Sequence, residues 1–188
     1  MEHDSYPVLS RINRLISRIL EWITVGLMIL LTVIVSFAVI ARLTGNSFSW
    51  YDEVAAIILA WITYYGSALA ALHRRHIGFD TVLLAMPKNL RIAALLVGEV
   101  IVLTFFFLMA RAGLQVLDVL AGDTLVSLRW VPVQFTQSVI PIGAILFMLG
   151  QILSLPAFLK LTAAGISLEH AEIEEEVETE LEKNKDRV

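Results

Sequence analysis

His73 and His76 stand three residues apart, a spacing that on a helix lets two imidazoles reach one metal ion, with Asp80 as the nearest third ligand. Arg74 and Arg75 lie between them, and two cations oppose a divalent ion while suiting anionic lipid headgroups. The stretch therefore reads as a juxtamembrane boundary, with specific packing by His76, rather than as a metal site. Asp52 and Glu53 are a second candidate, a general acid and base. Adjacent residues on a helix point about 100° apart, so the two carboxylates do not converge on one substrate. Glu99 is the third, a lone carboxylate inside an apolar run, about 10 Å in from Ala93. An ion at that depth is costly, so Glu99 is protonated, paired or solvated by a cavity. It is either a proton or cation site or one interhelical or intersubunit hydrogen bond; the second is favoured, because spans one and four offer almost no polar groups to converge with it.

The elements that position these residues are membrane spans. Of the 188 residues 57% are hydrophobic and only 17% charged, far from the balance of a soluble domain. Four apolar runs, 23–41, 54–72, 92–110 and 139–159, are each about 20 residues and so about 30 Å long as helices. The fold class that follows is an all-α integral membrane protein of four transmembrane helices. Basic residues precede the first run, but its apolar core is too long for a secretory signal and no small-residue cleavage pattern follows Ala41, so it reads as a retained anchor.

Outside the tail, eight of eleven Lys and Arg fall in segments that share a side with the N-terminus, and three in the alternate segments. The positive-inside bias then puts both termini in the cytoplasm. Leu9, Ile12, Leu15, Ile16, Ile19 and Leu20 line one helical face, with Arg11, Arg14 and Arg18 largely on the other, so residues 1–21 are expected to hold an amphipathic helix lying on the inner membrane surface. Residues 22–161 form the membrane domain and 162–188 a cytoplasmic tail. From Glu169 onward that tail has nine acids against three bases and reads as a solvated segment. The outer connection from Gly113 to Gln137 is the longest, with room for a short interfacial helix or a partly re-entrant segment near Trp130-Val-Pro132.

At the start of the second span Asp52 and Glu53 meet the positive end of a helix dipole, with Ser49 as N-cap. Arg42, closing span one, can pair with Asp52 or Glu53 across the turn that Trp50 anchors; contact with a partner subunit is the other use of this cluster. Span two carries small residues four apart, among them Ala56 and Ala60, Gly66 and Ala70, and Ser67 and Ala71, which permits close helix approach in lipid. Trp61, Thr63, Tyr64 and Tyr65 lie too deep for an interfacial belt and suggest a polar seam inside the bundle or against another protein.

The chain has no cysteine, which removes disulfides, thiolate metal sites and thiol nucleophiles. It has no glycine-rich phosphate loop and no internal repeat, so neither a nucleotide cofactor nor an inverted-repeat transporter is indicated, and no nucleic-acid partner is expected. No metal, no other cofactor and no enzymatic activity are expected.

From Arg42 to Arg91 the residues resemble the small membrane subunit, the DctQ-like component, of tripartite ATP-independent periplasmic (TRAP) transporters. The string is Arg42, Ser49-Trp50-x-Asp52-Glu53, a span with Trp61 and Gly66, then His76-Ile77-x-Phe79-Asp80, Met86-Pro87 and Arg91. Trp130-x-Pro132 and Ile140-Pro141-Ile142-Gly143 add a weaker match at the entry to the last span. The acidic tail and His73-Arg74-Arg75 depart from the pattern. The resemblance implies a non-enzymatic scaffold subunit in the bacterial or archaeal cytoplasmic membrane. It would bind a large DctM-like permease subunit, whose transport domain moves in an elevator-like cycle. A periplasmic solute-binding protein would deliver an organic acid, and an ion gradient would drive uptake as symport. Solute and ion sites would then lie in the large subunit, and membrane lipids would be the remaining partner. Asp52, Glu53, Asp118, Asp123 and Arg129 are the exposed charges available for docking the binding protein. The competing readings are a stand-alone proton-coupled transporter built around Glu99 and, last, a membrane metalloenzyme using His73 and His76.

Overall fold

A computed structural model describes residues 7–46, 48–74, 86–165 and 177. The described residues form five helices: α1 (Pro7–Leu43), α2 (Tyr51–Leu72), α3 (Lys88–Val119), the five-residue α4 (Val133–Gln137) and α5 (Val139–Ala164). Each of the four apolar runs lies inside one of the long helices, and all four are long and apolar enough to cross a membrane. Among the described residues there is no strand. An isolated bridge from Thr124 to Pro132 pins the outer loop, and Pro132 then starts α4 at φ −71°, the backbone that a helix entry needs.

α1 is continuous from Pro7 to Leu43, with no turn between the amphipathic residues and the first span. Its 37 residues make a helix of about 55 Å, well beyond the roughly 30 Å of bilayer hydrocarbon. Ser17 and Leu20, at 8% and 3% exposure, pack on the bundle and so hold the inner end of the continuous helix. Leu20 joins Ala68, Ala71 and Phe147 in a buried cluster, so this part of α1 is held by protein.

α5 is the centre of the bundle, packing on α2 and on α3, while α1 packs chiefly on α2. In hydrocarbon, burial of apolar side chains gains little over lipid, so close fit must hold helices together. Gly143 and Gly150 provide that fit. A Cβ at Gly143 would stand 2.7 Å from the Tyr64 Cβ, and one at Gly150 would stand 3.1 Å from the Ala68 carbonyl oxygen. Between them Phe147 stacks on Phe106 of α3, with ring centroids 3.6 Å apart. The seam that brings α2 to α5 is thus cut into α5 by glycine and met by Ala68 and Ala71, both with no exposed surface.

Candidate functional site

α2 ends at Leu72, and two residues later Arg74 adopts φ +52°, a left-handed backbone that costs a non-glycine residue roughly 1–2 kcal/mol. Its guanidinium lies inside the bundle. Nη1 and Nη2 each donate to one carboxylate oxygen of Glu99 at 2.9 Å, Nη2 also donates to the Gln151 carbonyl at 2.7 Å, and Nε donates to Ser154 Oγ at 2.8 Å. Gln151 Nε2 donates to the same carboxylate at 3.2 Å, and the guanidinium carbon sits 4.8 Å over the Phe158 ring. Both charged side chains are buried, at 8% and 7% exposure. A fork-to-fork pair with further bonds from Nη2 and Nε is the arrangement in which a buried ion pair is tolerated. Glu99 is therefore paired, and it ties α3 to the end of α2 and to α5.

Arg74 is the residue that the sequence reading missed, since it was placed among lipid headgroups. Span four also supplies more polarity than expected: Gln151 and Ser154, three apart on α5, both converge on this pair. The signal was present in those two polar residues and in Glu99, whose charge demanded a cation from some other element.

Nearby, Ser17 Oγ donates to Glu21 Oε1 at 2.8 Å and lies 2.8 Å from His73 Nε2. His73, which starred in the metal reading, is thus a link from α2 to α1. His76 and Asp80 lie outside the described residues. Arg91 closes the same end of the bundle, donating to the Thr162 carbonyl at 3.0 Å and to the Met86 carbonyl at 3.1 Å.

At the opposite end, Glu53 accepts from the backbone N–H of Val126 at 3.1 Å and of Ser127 at 2.9 Å. These two amides occupy its carboxylate, and Arg42 makes no ion pair with Asp52 or Glu53; Arg42 and Asp52 are exposed. A carboxylate facing two free amides of the 120–132 loop has a nearer partner than a cation across the turn. The helix cap also differs from the sequence expectation. Trp50 is the N-cap without a side-chain bond, while the Ser49 carbonyl accepts from Ser127 Oγ at 3.2 Å. Trp50 packs instead near Phe48, with ring centroids 6.1 Å apart.

Deeper in α2, Trp61 Nε1 donates to the Thr136 carbonyl at 3.0 Å, and its ring meets Phe135 and Tyr65 at 5.2 and 6.2 Å. Tyr64 backs onto Gly143 through its Cβ. Gly66 faces away from the bundle contacts, with nothing within 4 Å of where its Cβ would be. Among the described residues, no group of three or more His, Cys, Asp or Glu stands close enough together to hold a metal.

Four apolar helices tied at one end by the Arg74–Glu99 pair and at the other by Glu53 are the geometry against which the comparisons with known proteins fall. The family model described as "Tripartite ATP-independent periplasmic transporters, DctQ component" matches residues 31–159. The chain belongs to that family. A curated relative, the "Ectoine TRAP transporter small permease protein TeaB" of Halomonas elongata, is 32% identical over 145 residues, 75% of either chain. This TRAP small subunit is accordingly a multi-pass protein of the bacterial inner membrane. The matched region begins within the first span and ends near the close of α5, so it contains both Glu53 and the Arg74–Glu99 pair.

Proposed function

We propose that this small subunit is a non-catalytic scaffold. It binds the large permease subunit during ion-gradient-driven uptake of an organic acid that a periplasmic binding protein delivers. Both termini face the cytoplasm, following the distribution of basic residues. The observation that carries this reading is the neutralisation of Glu99. A coupling carboxylate must take up and release its ion, whereas Glu99 is bound by two Arg74 nitrogens and Gln151. That counts against a stand-alone transporter built on Glu99. Among the described residues no other carboxylate is buried, so solute and coupling ion are left to the partners. The name of TeaB attaches ectoine to that relative's transporter; substrate choice here belongs to the other two components.

Two features of α2 support a protein neighbour. Gly66 leaves an open approach, and the Tyr64 and Tyr65 hydroxyls make no hydrogen bond among the described residues. In hydrocarbon such hydroxyls seek partners.

The test is reconstitution. The purified chain in liposomes should move no organic acid under a sodium or proton gradient, and uptake should require the large subunit and the binding protein together. Gradient-driven uptake by the small chain alone, abolished by Glu99→Gln, would overturn the scaffold reading.

A further inference from the structure

The inner end of α1 carries Arg14, Arg18 and Trp22 at intervals of four, within about 80° of one another around the helix. All three are exposed, Trp22 at 74%, and so are the flanking Leu15 and Ile19 at 61% and 51%. The opposite face holds Ser17 and Leu20, which are buried, so the orientation of α1 about its own axis is fixed by packing. The nearest carboxylate on the helix, Glu21, accepts from Ser17 and stands 3.6 Å from His73 Nε2. Among the described residues neither Arg14 nor Arg18 has an ion-pair partner.

The depth of this stripe follows from the same helix. Trp22 and Arg42 are twenty residues apart, about 30 Å along the axis, which equals the hydrocarbon thickness of a bilayer. With Arg42 at one interface, Trp22 sits at the other, and Arg18 and Arg14 stand about 6 and 12 Å beyond it, among headgroups. We infer that Arg14, Arg18 and Trp22 form a binding site for an anionic phospholipid, the two guanidinium groups holding its phosphate and Trp22 lying at its glycerol level. Arginine matches phosphate by paired N–H donors, and Leu15 and Ile19 supply the apolar flank along which the acyl chains run. The continuity of α1 matters to this site: a separate helix lying flat on the membrane would spread the three side chains along the surface, whereas a helix that carries on from the span stacks them along one lipid.

The site rests on the membrane-subunit reading for its surroundings, but its test needs no partner subunit and no uptake, so either can fail without the other. The full chain is placed in nanodiscs of equal phosphatidylglycerol and phosphatidylcholine, extracted in mild detergent, and the retained lipids are counted by native mass spectrometry. Phosphatidylglycerol should be retained in preference, and the preference should fall about fivefold for each arginine removed in R14Q and R18Q. R14K/R18K should keep much of it, and R42Q, at the far interface, all of it. An undiminished preference in R14Q/R18Q would overturn the site. So would a preference that emerges only on deletion of residues 166–188, which would make the acidic tail the occupant. Unchanged lipid retention with lost co-purification of the large permease subunit would assign the face to that protein.

Discussion

Arg74 and Glu99 face each other through two parallel bonds of 2.9 Å, joining the residue just past the end of α2 to the middle of α3. The pair is buried, with Nη2 and Nε making further bonds, so its two charges depend on each other. Arg74→Gln and Glu99→Gln should each destabilise the bundle by about 3–5 kcal/mol, because each leaves one buried charge alone. Arg74→Met combined with Glu99→Met should cost much less than the sum of the two single changes. Reversible unfolding in mixed micelles measures this, and additive losses would show that the two residues act separately.

The α2–α5 seam makes a prediction about glycines. Gly143→Ala forces a methyl to within 2.7 Å of the Tyr64 Cβ, which no rotamer change relieves. It should cost about 1–3 kcal/mol. Gly66→Ala meets nothing within 4 Å and should leave the isolated chain as stable or more so, by up to about 1 kcal/mol. If α2 abuts the large subunit there, the same change should weaken co-purification while the thermal midpoint of the small subunit stays put.

Glu53 holds the outer loop by its backbone. Glu53→Ala should speed amide exchange at Val126 and Ser127 and expose the Gly122–Asp123 turn to proteolysis, whereas Asp52→Asn and Arg42→Gln should change neither. Equal effects from Arg42→Gln would restore the ion-pair clasp that the turn sequence suggests.

Trp61→Phe keeps the ring contacts with Phe135 and Tyr65 but deletes the bond to the Thr136 carbonyl. The expected loss is about 1 kcal/mol, read from the unfolding midpoint, with the four-residue difference between Trp61 and Tyr65 still on one helical face.

The four spans are legible in the sequence because an uninterrupted apolar run about 20 residues long has few alternatives to a membrane crossing. Glu99 is legible for a similar reason, since its isolation in such a run demands a partner. Its partner is not. Arg74 stands in a run of His and Arg that looks like any cytoplasmic margin, and its left-handed backbone, beyond the end of α2, is not written in that run. Arg42 and Glu53 show the converse. Opposite charges across a short turn are an obvious pair on paper, yet the loop amides seventy-odd residues away take the carboxylate, and their approach depends on how the 120–132 loop folds over α2. The small-residue spacing is legible only in part: Ala71 does lie fully buried in the seam, but Gly66 faces open space, and the tightest glycine contact is at Gly143 on the other helix.

The position of α1 gives the molecule a mechanical grain. α2, α3 and α5 are cross-linked by a buried ion pair and its neighbours, whereas α1 joins the bundle through Leu20 and the Ser17–His73 contact. A load applied at the first residues is met by the packing of α1 on α2 before it reaches the bonds between Arg74 and Glu99.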